Sequence, residues 1–210
     1  MATQTGELGV TFPDNTLQTT AAIAGAPGFG GFTNMSVFTS TAFWVVPAGV
    51  TKCKVTVVGG GGGSSFGSDG YFFSPGCGGG TAIKIITGLT PGTSINVTIG
   101  SGGGGGINVS DQLDGKPGGT SSFGAYCSAT GGAGGAWGGA PAPLGGGIGI
   151  SGNINFRGGG TLVLGGYGFY GGGTYLAQPS SNQYGAGQGV YQDGTYNGLT
   201  GAAGVVIVEY

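Results

Sequence analysis

The sequence predicts an all-β protein, with a small antiparallel, sandwich-like β base that carries a long glycine-rich insertion. Three observations support this prediction. Short stretches alternate apolar and polar residues with a period of two, which is typical of half-buried strands. Apolar residues show no helical period of useful length. Glycine accounts for 57 of the 210 residues, and most of the glycines follow residue 58.

The N-terminal residues 1–32 are polar and rich in small side chains. Pro13-Asp14-Asn15 is a turn signal between two short β-prone pieces, so we expect a hairpin-like arm. Ala24 to Gly31 then has the composition of a linker. The chain therefore divides into an attachment arm with its linker, 1–32, and a glycine-rich β domain, 33–210.

The strands of the β base begin with residues 37–46, which are aromatic and β-branched and end at Pro47-Ala48-Gly49. Residues 51–58 alternate, with Cys53, Val55 and Val57 on the apolar face. The same device in residues 82–87 places Ile83 and Ile85 on the face opposite Ala82 and Lys84. Further strands are expected at 94–99 and within 121–129.

The C-terminal run Val205 to Val208 is apolar without interruption, which predicts a strand covered on both faces. Its simplest position is beside the strands of residues 37–99. The glycine-rich residues of about 130–203 would then leave the base and return to it. Shorter excursions at 59–80 and 100–119 are expected to leave at the same end.

The glycine runs are predicted to be ordered. Disordered chains are typically charged and poor in aromatics, whereas this chain is 6% charged and 10% aromatic. Collagen needs glycine at every third position, and the spacing here is irregular. Glycine runs can instead form extended helices with three residues per turn, whose outward backbone groups bond to neighbouring helices where no Cβ intervenes. Either such stacked polyglycine II-type helices or long ordered loops are expected.

Several blocks of this sequence resemble the glycine-rich domain found at the ends of bacteriophage tail fibres. The resemblance covers roughly residues 38–210. It is carried, in order, by Phe43 to Gly63, Gly78 to Lys84, Leu89 to Gly92, Val97 to Gly102, Gly119 to Gly124, Ala129 to Gly132 and Gly204 to Tyr210. Gly9 to Thr20 is similar to a segment that precedes tail-fibre tip domains, with Asn15 at a usual glycine.

The resemblance implies a non-enzymatic tail-fibre or fibre-tip protein that binds the bacterial host surface, through a glycan or an outer-membrane protein. It implies a homotrimer in the phage tail of the virion, made in the bacterial host cytoplasm. The N-terminal arm would attach to another phage tail or baseplate protein, with Val10, Phe12 and Leu17 as candidate contacts. Only about 37 residues precede the tip-like domain, which favours a small tip or side fibre that docks directly.

The candidate receptor-binding residues are the aromatics that interrupt the glycine runs. Rigid aromatic side chains beside Ser, Gly and Asn are what antibody paratopes use for contact. Their alternative role is packing at the edge of the glycine stack or at a subunit interface. The candidates are Tyr71, Phe72, Phe73, Trp137, Tyr170, Tyr175, Tyr184, Tyr191 and Tyr196, with Phe156, Tyr167 and Phe169 in the same group and residues 174–197 as the expected tip.

Other functions have weaker support in the sequence. Histidine is absent, which removes the usual general base and the commonest metal ligand. The close acidic pair, Asp111 and Asp114, lies in a glycine- and proline-containing segment, which predicts a solvated loop. The net charge is −2 with five scattered basic residues, unlike a nucleic-acid footprint, and no apolar run is long enough to span a membrane.

We therefore expect no enzyme activity, cofactor, metal, nucleic-acid partner or membrane insertion. No signal peptide is visible at the N-terminus. The odd number of cysteines, Cys53, Cys77 and Cys127, favours free structural thiols. The alternative function is a structural virion protein, a decoration or an adaptor, that binds mainly other phage proteins.

Overall fold

The structure, a computed structural model, describes residues 32–67, 74–108, 112–137, 145–160, 168–169, 183–187 and 197–210, and the backbone of three short strands before them. The chain forms two compact units, Met1–Thr33 and Asn34–Tyr210. In the first unit, β1 (Thr5–Gly6), β2 (Gly9–Thr11) and β3 (Leu17–Gln18) pair antiparallel in sequence order. Val10 and Leu17 lie on β2 and β3, and Phe12 lies outside the described residues.

The second unit is built on two five-stranded antiparallel sheets, and its described residues contain no helix. This confirms the predicted all-β class. Sheet A has the strand order β12-β7-β6-β13-β4, and sheet B has the order β11-β10-β9-β8-β5. The strands are β4 (Met35–Phe38), β5 (Ala42–Val45), β6 (Lys52–Val58), β7 (Thr81–Thr87), β8 (Ser94–Thr98), β9 (Ser121–Phe123), β10 (Cys127–Ala129), β11 (Gly149–Ile150), β12 (Ile154–Phe156) and β13 (Val205–Glu209).

One apolar core joins the inward faces of the two sheets. Trp44 lies at its centre, with its ring centroid 5.7 Å from that of Phe123 and 5.5 Å from that of Tyr210. The alternation of β6 is confirmed, because Cys53, Val55 and Val57 are fully buried. The other core side chains are Val46, Ala82, Ile86, Leu89, Ile95, Val97, Cys127, Ala129, Val206 and Val208.

The C-terminal strand lies where the sequence predicts it. β13 pairs with β6 on one side and β4 on the other, so Val206 is opposite both Val57 and Phe38. Three adjacent strands of sheet A thus bring the end of the second unit between two strands from near its beginning.

Residues 37–46 do not form one continuous strand. They divide between β4 in sheet A and β5 in sheet B, and the chain turns at Thr39, Ser40 and Thr41. These polar residues interrupt the β-prone stretch, and the Thr41 hydroxyl accepts a hydrogen bond from the N–H of Ile99 at 3.1 Å. The interruption lets one stretch supply an edge strand to each sheet.

The facing of β7 is the reverse of the expected one. Pairing with β6 places Lys84 opposite Val55 and Ala82 opposite Val57, on the inward side, while Ile85 is 49% exposed on the outward side. Lys84 tolerates this position because its ammonium reaches the sheet boundary. There it donates to the carbonyl oxygens of Tyr126 and Ser151, at 2.8 and 2.9 Å.

The excursion expected over about 130–203 is interrupted by a return to the β base. β11 extends sheet B and β12 extends sheet A. Between them Ser151 adopts a φ of 59°, a left-handed conformation that allows the tight connection. The sequence gives little sign of this return, because Gly149–Ile150 and Ile154–Phe156 are too short to show a period.

Candidate functional site

Glycine-rich rods continue eight of the strands beyond the end of the β base. β6, β8, β10 and β12 each run on into an outgoing rod, and β7, β9, β11 and β13 each follow a returning rod. We number them in chain order: rod 1 (59–66), rod 2 (74–80), rod 3 (100–107), rod 4 (113–119), rod 5 (130–136), rod 6 (145–148), rod 7 (158–160) and rod 8 (197–204).

Rod 1 has three residues per turn, as its hydrogen bonds demonstrate. The N–H groups of residues 59, 62 and 65 donate to rod 2, at the carbonyls of Gly80, Cys77 and Ser74. Those of residues 60, 63 and 66 donate to rod 4, and those of residues 61 and 64 donate to rod 8. In each neighbour, the residue number of the acceptor falls by three when that of the donor in rod 1 rises by three. All three neighbours therefore run antiparallel to rod 1. None of the rod 1 glycines has a positive φ, as in a left-handed polyproline II helix.

The carbonyl groups of rod 1 bond to two further neighbours, which run parallel to it. Gly103 and Gly106 of rod 3 donate to the carbonyls of Gly61 and Ser64, at 2.8 and 2.9 Å. Rod 5 likewise donates to residues 60 and 63. Rod 1 is buried along its whole length and lies at the centre of a polyglycine lattice.

Glycine is required in this lattice because the backbones of neighbouring rods lie too close together to leave room for a methyl group. An ideal Cβ added to Gly61, Gly62 or Gly63 would overlap a backbone carbonyl oxygen, and the oxygen belongs to a different neighbouring segment in each case. Ordering each residue costs about 1–2 kcal/mol of backbone entropy, and each net hydrogen bond returns about 0.5–1.5 kcal/mol. The two are close in size, so the rods stay ordered only where nearly all their backbone groups are bonded.

The lattice also joins the two layers of the β base. Rods 1, 2, 7 and 8 continue sheet A, and rods 3, 4, 5 and 6 continue sheet B. Packed sheets are normally about 10 Å apart because side chains fill the gap. In the glycine rods, which have no such side chains, the backbones of the two layers form direct hydrogen bonds. An example is the bond from Gly60 N–H to Gly119 O at 2.9 Å.

Three serine hydroxyls satisfy backbone donors that the threefold pattern leaves over. The Ser64 hydroxyl accepts from Leu199 N–H at 2.8 Å, and the Ser65 hydroxyl accepts from Ser74 N–H at 2.9 Å. The Ser121 hydroxyl accepts from Gly100 N–H at 2.9 Å, where rod 3 leaves sheet B. All three serines are buried, and two of the donors they bond, on Ser74 and Gly100, belong to buried residues, whereas Leu199 is half-buried.

The free ends of rods 1, 3 and 5 lie at the lattice end remote from the β base, which we call the distal end. There, Phe66 N–H donates to Leu113 O, and Ile107 N–H donates to Gln112 O, both at 2.8 Å. Trp137 follows rod 5, is 37% exposed, and donates its backbone N–H to the Asp114 carboxylate at 2.6 Å. Asp114, expected in a solvated loop, is exposed and holds this turn.

The structure places two of the nine predicted receptor-binding aromatics. Trp137 is at the distal end, and Tyr184 lies half-buried beside the lattice in residues 183–187. Gly185 of that segment donates to Ala203 and accepts from Gly79, so the expected tip 174–197 contains a lattice element. The other seven, Tyr71, Phe72, Phe73, Tyr170, Tyr175, Tyr191 and Tyr196, lie outside the described residues.

An additional cleft of about 220 Å³ lies beside rods 2 and 7. Phe156 and Phe169 form one wall, with ring centroids 5.3 Å apart and planes tilted by 33°. Arg157 lies beside them, and the remaining lining residues are Gly79, Thr81, Gly159 and Gly168. The sequence identified Phe156 and Phe169 only as members of the aromatic group, and it offered no signal for Arg157, which looks like one of several scattered charges.

The three cysteines are buried thiols that form no disulfide bonds, as predicted. Burial raises the pKa of Cys53 to about 11, with a smaller contribution from Cys127, and burial raises that of Cys127 to about 11. Burial also raises the pKa of Cys77. Over the described residues we find neither a cluster of three or more Cys, Asp or Glu side chains able to hold a metal ion nor a helix long and apolar enough to cross a membrane.

The fold and the lattice define a glycine-rich β domain, in which a two-sheet base carries hydrogen-bonded backbone rods. The sequence profile of the glycine-rich domain family matches residues 33–174. The chain therefore belongs to this family. Comparison with curated proteins gave no match.

Proposed function

We propose that this chain is a non-enzymatic tail-fibre or fibre-tip protein of a bacteriophage, which binds the surface of the bacterial host. The observation that carries the proposal is the common distal end of the lattice. Outgoing rods 1, 3 and 5 end together there, and returning rods 2, 4 and 8 begin there. A stiff support with several chain connections at one end suits the presentation of contact residues.

The sequence composition supports the same proposal. In the sequence, the segments between consecutive rods, 67–73, 108–112 and 137–144, and the residues that precede rod 8 include Tyr71, Phe72, Phe73, Trp137, Tyr191 and Tyr196. Recognition residues commonly lie on loops held by a rigid scaffold. The resemblance to tail-fibre ends supplies the phage context, the homotrimer and the docking of the N-terminal arm on another tail or baseplate protein.

Competition for phage adsorption tests this function. Purified chain is added in excess to sensitive cells before a phage that encodes it, and free phage is counted over time. We expect the chain to slow adsorption and to bind the cells directly when fluorescently labelled. A chain that neither binds sensitive cells nor slows adsorption would contradict host binding.

Two aromatic variants test the assignment of the distal end. Trp137→Ala removes an exposed ring at the distal end, and Phe43→Ala removes a 70% exposed ring on β5 of the β base. We expect Trp137→Ala to weaken cell binding by about tenfold or more, as for a central contact residue, and Phe43→Ala to leave it unchanged. Equal binding by both variants, with unchanged circular dichroism, would remove Trp137 from the contact surface.

A structural virion protein, the second candidate function, is favoured by the outward face of sheet A. Strand register aligns a mainly apolar row across all five strands. Val37 and Ile154, on the two edge strands, are 48% and 52% exposed, whereas the central Thr56 is polar and buried. The row is Val37, Ile207, Thr56, Ile83 and Ile154. Exposed apolar patches commonly mark contacts with other proteins. An image of the intact particle separates the two functions, because an adaptor would have its distal end covered by neighbouring proteins.

A further inference from the structure

We propose that the cleft beside rods 2 and 7 binds a carboxylated monosaccharide, such as a terminal uronic acid of a surface glycan. This proposal rests on host-surface binding for its biological setting. Its chemical basis is independent of the distal end, because the cleft is formed by Phe156, Arg157 and Phe169 together with glycine backbone.

Arg157 supplies a cation that the described structure leaves unpaired. No carboxylate of the described residues lies within 4 Å of its guanidinium, whereas Lys54 pairs with Glu209 at 2.6 Å and Lys84 donates to two carbonyl oxygens. Arg157 is exposed, so a ligand can reach it without removing another partner. A planar guanidinium binds a carboxylate through two parallel hydrogen bonds, which favours an anion of this shape.

Phe156 and Phe169 supply the second element of recognition. Both side chains are partly exposed, at 42% and 46%, although aromatic rings of this size are usually covered. Their tilted pair offers an apolar surface next to the cation. A pyranose ring has one face of C–H groups, so a uronic acid can place that face on the phenyl rings while its carboxylate meets Arg157.

The size of the cleft suits a ligand of a single ring. Its volume of about 220 Å³ is below the approximately 300–1,000 Å³ of pockets that enclose drug-sized ligands. The described lining residues contain no carboxylate, so the charge of the ligand meets no repulsion from them. A single acidic sugar at the end of a glycan fits these limits.

The lattice holds the cleft in place before any ligand arrives. Gly79 N–H donates to Gly185 O, and Gly78 N–H donates to Gly159 O, both at 2.8 Å. A Cβ on Gly79 would overlap the backbone of rod 1, so this wall is backbone and cannot be replaced by a side chain. A preformed wall lowers the ordering cost of binding.

Ligand-observed NMR and calorimetry with the full chain test the proposal. The probes are glucuronate and galacturonate, with glucose and galactose as matched neutral sugars and benzoate as a non-sugar ring carboxylate. We expect millimolar binding of a uronate, at least about tenfold weaker binding of its neutral partner, and weaker uronate binding at higher salt. Binding of benzoate without either uronate would overturn the assignment to a sugar.

Three variants locate the binding. Arg157→Gln should weaken uronate binding about tenfold without affecting the neutral sugars, and Phe156→Ala should weaken uronates and neutral sugars alike. Lys116→Gln removes an exposed cation from rod 4 and should have no effect. Uronate binding that is unchanged in Arg157→Gln, or equally reduced in Lys116→Gln, would exclude the cleft.

The cell experiment distinguishes failure of this inference from failure of host binding. A chain that slows phage adsorption but binds no uronate would overturn the cleft assignment and leave host binding intact. A chain that binds uronate through Arg157 but does not bind sensitive cells would overturn host binding and leave the cleft as a ligand site. Inhibition of adsorption by free uronate, lost in phage with Arg157→Gln, would support both.

Discussion

Replacing Gly62 with alanine should destabilise the protein far more than the same change at Gly104. Gly62 lies in the buried central rod, and an added Cβ would overlap the carbonyl oxygen of Ala133. That carbonyl accepts the Cys77 N–H at 2.8 Å. At Gly104 in rod 3 an added Cβ would have no atom within 4 Å, which makes it a matched control in the same lattice.

The magnitude follows from what must move in the Gly62→Ala variant. Moving rod 5 outward costs about 1–3 kcal/mol as overpacking, and leaving the buried Cys77 donor unpaired costs about 1–3 kcal/mol. Alanine restricts the unfolded chain and offsets about 0.4–1 kcal/mol. The net loss in the free energy of unfolding is about 1–6 kcal/mol. Gly104→Ala should be neutral or stabilising by up to about 1 kcal/mol.

Urea unfolding of both variants measures this difference through the denaturant midpoint at constant slope. Thermal unfolding should agree, since 1 kcal/mol shifts the Tm of a chain of this size by about 2–4 °C. If Gly62→Ala and Gly104→Ala have the same midpoint, close backbone packing is not the reason for glycine in rod 1.

Three further predictions concern individual side chains. Ser64→Ala should lower the free energy of unfolding by about 1–3 kcal/mol because the Leu199 N–H loses its buried acceptor. Ser122→Ala, on the outward side of β9, is the control and should change the free energy of unfolding by no more than about 0.5 kcal/mol, as compared through urea midpoints. Glu209→Gln should cost at most about 1 kcal/mol, since its ion pair with Lys54 is partly exposed, and a larger loss would mean that β13 depends on it. Cys53 and Cys127 have a pKa of about 11 in the folded protein, against 9.0 for an unperturbed thiol. Stability should therefore fall as pH rises from about 9 to 11, because the thiols of the unfolded chain release their protons first. A series of urea midpoints at different pH values and slow labelling of the native thiols at pH 8 check this prediction.

The strands were predictable where side chains alternate over several residues. Cys53, Val55 and Val57 alternate with polar residues and are buried as expected. The uninterrupted apolar run Val205 to Val208 predicts a covered strand, and its three valines are buried. The prediction of which face of β7 points inward was wrong, because the alternation pattern cannot show that Lys84 lies on the inward face and extends its ammonium to the sheet boundary. The β11–β12 return was missed because strands of two and three residues contain no period to detect.

The lattice was predictable in kind but not in arrangement. Glycine runs indicate close backbone approach, yet they contain no side chains that specify which rod lies beside which. The strands supply that information, since rods 1 and 2 continue the pairing of β6 with β7 and rods 3 and 4 continue that of β8 with β9. The cleft was not predictable, because Phe156 and Phe169 come together only after the chain has returned through β12.

The threefold pattern of rod 1 also restricts how such a domain can grow. Each neighbour is bonded at every third residue, so inserting one or two residues in a rod would redirect all later donors to the wrong neighbours. Inserting three residues in every outgoing and returning rod would keep each partner and lengthen the lattice by one turn, about 9 Å at 3.1 Å per residue. The reach of the domain can therefore change only in discrete steps, while its connecting sequences can vary in length one residue at a time.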